Sequence, residues 1–360
     1  MLNQISGGVC AAKGFTAAGV HCGVKAGSSP DKNDLALILS EKECAAAATY
    51  TMNRVKAAPL YVTMDHLENG VAWGVVANSG NANACCPQSH ENAEAMSASA
   101  AAATGREPGD FVVASTGVIG QTINISAIQA GLPQAAAALS ADGSDAAAHA
   151  IMTTDTVKKE IAVSLTIGGK EVRLGAIAKG SGMIHPNMGT MLAFVTTDCA
   201  ITHELLSDAL HEVVARTFNR VTVDGDTSTN DMCVVLANGM AGNSLIEWKD
   251  QDYETFLAAL EEVCRHLSRA IAGDGEGGQQ AGHLQDARGP QRGERRAPGQ
   301  GRGGLLPGKG RHVRRRCQLG PGAVRHGLFQ GPLPPRACGC VLLLPGRVYP
   351  GVQAGRRRGL

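Results

Sequence analysis

A threonine that follows a glycine where a loop enters an apolar strand can become a nucleophile without help from another side chain, and residues 179–194 supply one. The stretch reads Lys179-Gly180-Ser181-Gly182-Met183-Ile184-His185-Pro186-Asn187-Met188-Gly189-Thr190-Met191-Leu192-Ala193-Phe194. Gly180, Gly182, Pro186 and Gly189 permit or impose dihedrals that neither neighbouring element continues. Met191 to Thr197 then reads as a buried apolar strand. Gly189 gives its carbonyl no steric cover, so the Thr190 hydroxyl can attack its own peptide bond. An N-to-O acyl shift followed by hydrolysis would leave Thr190 as a new N-terminus. Its freed α-amine, with a reference pKa of about 8, would act as general base for the hydroxyl beside it. A single Gly-Thr pair is by itself more often an ordinary turn into a core strand, so the reading needs independent support.

Acyl transfer develops negative charge on a carbonyl oxygen, and donors must already wait where that oxyanion forms. Ser115-Thr116-Gly117-Val118-Ile119-Gly120 follows a predicted strand at Asp110 to Ala114. A Thr116 hydroxyl and a backbone N–H bared by Gly117 could supply such a pair, although a tight strand-to-loop turn explains the same three letters. Lys179 could hold a substrate carboxylate or support a Thr190 amine, and as an isolated residue it would more often be a surface charge. Glu276, in Gly273-Asp274-Gly275-Glu276-Gly277, is suited to accept a substrate ammonium. Asp224-Gly225-Asp226 has the first spacing of a calcium loop but lacks the completing glutamate, so no metal site is read there.

Several blocks follow in a fixed order: Ala11-Ala12-Lys13-Gly14-Phe15, Thr51-Met52-Asn53-Arg54-Val55-Lys56-Ala57-Ala58-Pro59, Asn78-Ser79-Gly80-Asn81-Ala82-Asn83-Ala84, the Ser115 block, Met152-Thr153-Thr154-Asp155-Thr156, the segment around Thr190, Val223 to Asp231, and Ala272 to Gly277. Together they resemble the ornithine acetyltransferase family, whose members transfer acetyl groups to glutamate in arginine biosynthesis. The resemblance covers residues 1–277. It implies a layered α/β sandwich of the N-terminal-nucleophile-like type, self-cleaved between Gly189 and Thr190 into two chains that assemble as a heterotetramer. It implies Thr190 as nucleophile, Thr116 and Gly117 as oxyanion hole, and Thr153, Lys179, Thr190 and Glu276 as substrate residues, with Thr154 the rival to Thr153. Arg54 and Lys56, otherwise solvated surface charges, become candidates near an acidic substrate. The implied reaction moves acetyl from N-acetylornithine to glutamate without a cofactor or metal, and some members also take acetyl-CoA as donor. A related amidohydrolase using the same cleavage and oxyanion logic is the rival enzyme.

The elements that must position these residues alternate in type. Gly7 to Val24, Asp34 to Leu39, Ala45 to Thr51, Val71 to Asn78 and Asp110 to Ala114 read as strands. The alanine-rich stretches Glu91 to Ala103, Ile125 to Ser140 and Ser144 to Met152 read as helices. Strand, polar glycine turn and helix around Asn78 to Ala84 would leave unpaired backbone donors at the turn; a plain asparagine-rich connection fits equally well. Glu160 to Ile167 and Lys170 to Ala178 flank Gly168-Gly169 as a hairpin that leads into the loop before Thr190. His203 to Arg220 and Tyr253 to Ile271 are amphipathic helices, with short strands at Val221 to Val223 and Asp231 to Ala237.

The net charge of +1 hides two compositions. Residues 1–277 carry 17 Lys and Arg against 30 Asp and Glu, whereas residues 278–360 carry 16 against 2. That final stretch has 15 Arg, 19 Gly and 9 Pro, and no Ser, Thr, Asn, Ile, Met or Trp. Losing those six types while keeping residues with G/C-rich codons is what a GC-rich gene gives out of frame. Residues 1–189 and 190–277 are therefore expected to be the two chains of the enzyme, and 278–360 a frameshifted tail. Such a tail implies that this exact chain folds poorly and has little activity, as an inactive frameshifted product would, whereas the frame-corrected gene is active. A true Arg/Gly-rich extension that binds nucleic acid is the alternative, but such tails usually mix Lys with Arg. The eight cysteines before residue 278 contain no Cys-x-x-Cys pair. They read as reduced thiols. With no secretory signal and no run long enough to span a bilayer, the expectation is a cytoplasmic protein without nucleic-acid or membrane partners.

Overall fold

A computed structural model describes residues 2–183, 191–224 and 226–275. In chain order the elements are β1 (Asn3–Ile5), β2 (Phe15–Val20), β3 (Leu35–Tyr50), α1 (Ala58–His66), β4 (Val71–Asn78), α2 (Ser89–Thr104), β5 (Phe111–Ser115), α3 (Ile125–Ala137), α4 (Ser144–Ala150), β6 (Lys159–Ile167), β7 (Lys170–Lys179), β8 (Leu192–Thr197), α5 (His203–Arg216), β9 (Met232–Ala237) and α6 (Gln251–Gly273). Hydrogen bonds join the strands in the order β1-β6-β7-β8-β9-β3-β4-β5, with β2 also on β3.

Strand β3 is the spine. Its first half lies between β2 and β4, and its second half pairs with β9 from Ala45 opposite Ala237 to Tyr50 opposite Met232. Two pairs are parallel, β4 with β5 and β8 with β9. Parallel neighbours need a long crossover, and each pair has one, carrying α2 and α5 respectively.

Alternation along the strands divides the interior into layers. Leu35, Leu37, Val76, Phe111 and Val113 face helices α1 to α3. Their neighbours Ile38, Val75, Ala77, Val112 and Ala114 face inward, against Leu192, Phe194, Val234 and Leu236 of the second half of the sheet and against α4. On the far side, Ala193, Val195, Cys233 and Val235 turn to α5 and α6. The sheet thus doubles over into two packed layers with helices outside, which is the layered α/β arrangement expected. Strands covered on both faces lose polar alternation and read as continuous apolar runs, as Phe111-Val112-Val113-Ala114 does. Small residues let α4 sit close, since a Cβ on Gly19 would lie 2.0 Å from the Ala146 carbonyl oxygen. The edge of β5 is covered by Thr63, whose hydroxyl donates to the Val113 carbonyl at 2.8 Å and accepts its N–H at 2.9 Å.

Several boundaries differ from the expectation. The two strands expected at 34–39 and 45–51 are one, because the polar run Glu41-Lys42-Glu43 is accommodated in a register shift between Leu39 and Cys44 and stays exposed. Only Phe15–Val20 of the expected first strand is extended, preceded by a 3₁₀ turn at Gly8–Cys10. Helix α1 was not expected: Pro59 stands in its first turn, where its missing N–H costs nothing. Residues 221–223 form no strand, and the helix from His203 stops at Arg216 before a 3₁₀ turn at Phe218–Arg220.

Candidate active site

The two parallel strands β4 and β5 end side by side, with Asn78 in register with Ser115. The chain leaves each as a tight turn, and the turns lock together. The Thr116 N–H donates to the Asn78 carbonyl at 2.9 Å, and the Ala82 N–H to the Val118 carbonyl at 2.9 Å. Gly117 has φ +128°, and a Cβ there would lie 2.8 Å from the Asn81 nitrogen and the Gly80 carbonyl carbon. Only glycine fits that backbone and that approach. Gly117 is exposed and Thr116 half-buried. The asparagines stiffen the turn from beneath: the Asn81 N–H donates to Asn78 Oδ1 at 3.2 Å, the Asn83 N–H to Asn81 Oδ1 at 2.7 Å, and Asn78 Nδ2 to Ser115 Oγ at 2.6 Å. They are a buried scaffold for the Thr116 turn. Helix α2 begins only at Ser89, so Asn78 does not run straight into a helix N-terminus.

Two consecutive residues connect this turn to the strand that follows Thr190. Asn230 Nδ2 donates to the Ser115 carbonyl at 2.8 Å and to the Ala82 carbonyl at 2.6 Å. Asp231 Oδ1 accepts the Met191 N–H at 2.7 Å. One side chain grips the peptide entering Thr116, and the next grips the residue after Thr190. Along the hydrogen-bond ladder these regions are far apart, since β4 ends beside Leu35 and β9 begins beside Tyr50, at opposite ends of β3. They meet because the sheet doubles over.

A second cluster is charged. Lys159 is fully buried, with its ammonium 2.7 Å from Asp155 Oδ1 and 2.6 Å from Asp274 Oδ2. Lys179 Nζ lies 4.0 Å from Asp155 Oδ2. Asp155 also accepts the Thr153 N–H at 3.0 Å and the Gly180 N–H at 2.6 Å. Burial pushes its carboxyl up, but the Lys179 and Lys159 ammoniums and the Gly180 N–H outweigh that and hold it at about 2. Asp274 is likewise held low: burial opposes ionisation, and the Lys159 and Thr156 hydrogen bonds overcome it. The Ser181 hydroxyl donates to the Asp274 carbonyl at 2.6 Å, and the Met183 N–H to Asp224 at 2.5 Å.

Of the residues expected to do chemistry, Thr116 and Gly117 share one turn, and Thr153 and Lys179 meet around Asp155. Gly189, Thr190 and Glu276 lie outside the described residues. Arg54 is exposed, and Lys56 turns back to the Asn53 carbonyl at 3.2 Å. Residues 227–231 are buried, and Asn230 and Asp231 among them form the internal brace just described. The sequence reading missed Lys159, Asp274 and Asn230. The expected strand began at Glu160, which left Lys159 outside it, and only the partners of Lys159 show its place. Cys44 and Cys199 are buried, which pushes their thiols up to about 12 and leaves them protonated and unreactive. No group of three His, Cys, Asp or Glu that could hold a metal occurs among the described residues.

A family model described as the ArgJ family matches residues 16–292. The chain belongs to the ArgJ family. The arginine biosynthesis bifunctional protein ArgJ of Symbiobacterium thermophilum is 52% identical over 277 residues, covering 77% of this chain and 69% of that one. Its counterpart from Synechococcus is 48% identical over 276 residues, covering 76% and 66%. The chain thus spans about two thirds of the length of these ArgJ relatives. Among solved structures, the ArgJ protein of Bacillus halodurans is 39% identical, covering 52% of this chain and 97% of that chain, with a TM-score of 0.48. An ornithine acetyltransferase of Mycobacterium tuberculosis, solved in complex with ornithine, is 36% identical with a TM-score of 0.47. No helix among the described residues is long and apolar enough to cross a membrane.

Proposed function

We propose that this chain transfers an acetyl group from N-acetylornithine to glutamate through an acetyl ester on Thr190, after the chain breaks between Gly189 and Thr190. The observation that best supports this is the Asn230-Asp231 pair, which ties the turn carrying Thr116 and Gly117 to the amide of Met191, the residue next to Thr190. In this reading the Thr190 α-amine accepts the hydroxyl proton as Thr190 Oγ attacks the acetyl carbonyl. The Thr116 hydroxyl and Gly117 N–H stabilise the oxyanion. Collapse expels ornithine, whose nitrogen takes the proton from the ammonium. The glutamate amine then attacks the ester in the reverse sense and leaves as N-acetylglutamate.

Thr153, Lys179 and Glu276 hold the amino-acid substrate, with the Lys179 side chain facing a carboxylate. Residues 1–189 and 190–277 are the two chains of the cleaved enzyme, which assembles in the cytoplasm as a heterotetramer. No cofactor is needed for the ester chemistry, and acetyl-CoA is a second donor to be tried. Residues 278–360 are out of frame, a reading supported by their composition and by nothing in the acetyl chemistry that requires fifteen arginines. Resequencing across codon 278 tests it, and an unbroken frame removes it.

Intact mass of the purified protein tests the nucleophile. Fragments breaking at Gly189/Thr190 are expected, and none from Thr190→Ala. An uncleaved chain with full acetyl transfer would sink the reading, and amide hydrolysis without an acceptor would replace it with the amidohydrolase.

A further inference from the structure

The charged cluster joins three pieces of chain that the reaction needs together. Asp155 holds the Thr153 N–H, the Gly180 N–H and the Lys159 ammonium, and it faces the Lys179 ammonium. Lys159 carries the contact on to Asp274, two residues before Glu276. Asp274 in turn accepts from the Thr156 N–H and hydroxyl, and its carbonyl holds Ser181. The side chains of Asp155 and Lys159 are both 0% exposed. Among the described residues the cluster brings together two ammoniums and two carboxylates. Buried charges arranged this way are held in one geometry, because moving any one leaves another without its partner.

We propose that Asp155, with Lys159 and Asp274 behind it, is the positioning unit that sets Lys179 for a substrate carboxylate and anchors the upstream end of the segment carrying the Gly189–Thr190 bond. One carboxylate thereby serves both self-cleavage and substrate binding. The inference rests on the proposed function above and goes beyond it by giving that role to residues that touch neither the substrate nor the scissile bond. Asparagine at 155 keeps the size but turns an N–H₂ toward groups that are all donors, so the arrangement cannot survive unchanged.

The test uses this chain, followed by intact mass for the rate of cleavage and by calorimetric titration of the cleaved protein with ornithine. Asp155→Asn is expected to slow cleavage about tenfold and to raise the ornithine Kd about tenfold with the number of sites unchanged, since charge-assisted bonds are lost. Asp274→Asn, one step further away, is expected to give the same two changes at about threefold. A purely structural role would lower the number of sites and leave Kd alone, and that result overturns the inference. So does an unchanged rate or an unchanged Kd in Asp155→Asn. Should that variant yield no folded protein, Asp274→Asn decides by the same criteria. If the unaltered chain neither breaks at Gly189 nor binds ornithine, the same series is run on the frame-corrected chain, and failure there sinks the proposed function and this inference with it.

Discussion

The two halves of the candidate site are built from opposite materials. Around Thr116 everything is neutral: asparagine side chains and backbone dipoles, with Gly117 pressed against the Gly80-Asn81 backbone. Around Lys179 the side chains are charged: Asp155 faces it, and Asp155, Lys159 and Asp274 are paired and buried. The oxyanion of an acyl transfer exists only in passing, and fixed dipoles can meet it without attracting a permanent anion beforehand. An amino-acid substrate carries its charges throughout, and a lone lysine at 4% exposure could not wait for it without a counter-charge. The contrast separates rate from affinity. Damage at Thr116 should appear in turnover, and damage to the charged half in self-cleavage, binding and stability.

Four changes would break or sharpen that contrast. The largest effect is expected from Lys159→Met, which leaves Asp155 and Asp274 without their shared ammonium. Removing one partner of a buried pair should lower unfolding free energy by about 3–5 kcal/mol in a urea titration. Thr116→Val comes next: turnover of N-acetylornithine should fall about 10²–10³-fold while the ornithine Kd stays put, and a change in Kd instead would mean that the halves are not separate. Asn230→Ala removes both donors to the Ser115 and Ala82 carbonyls and leaves them buried. A loss of about 2 kcal/mol in stability is expected, with turnover falling further than Kd rises.

The smallest effect is the acid limb of stability. Asp155 sits at about 2 in the folded chain against 3.8 for the free side chain. A depressed folded pKa gives stability that is fully present above 3.8 and lost as pH falls toward 2. The Asp155 share is about 2 kcal/mol, so Asp155→Asn should flatten the dependence of the urea midpoint on pH across that window. An equally steep acid limb in the variant would show that the charged half does not hold Asp155 ionised.

Much of this was legible in the residues. β4 runs over the predicted span, Val71–Asn78, the hairpin around Gly168-Gly169 forms between β6 and β7, and α2 and α6 lie where alanine content and amphipathic spacing put them. Local signals suffice there, because an apolar run of strand length or a 3.6-residue stripe has few other ways to be buried. The 41–43 run failed as a strand break because a bulge accommodates charge without ending a strand, and bulges leave no local mark. Lys159 was illegible for a different reason: a lysine is a surface residue until its partners are known, and Asp274 is 115 positions away.

The amino-acid order alone determined the elements, the Gly-Thr junction, the Thr116-Gly117 turn and the membership implied by their succession. Each of these depends on residues within a few positions of one another. Tertiary structure alone decided that the sheet folds over, so that Asn230 reaches Ser115 while Asp231 holds Met191. It also decided that two lysines and two aspartates from three distant stretches come together in the interior. Pairing across such distances is set by how the layers pack, and that information is shared among all the strands and present in none of them singly.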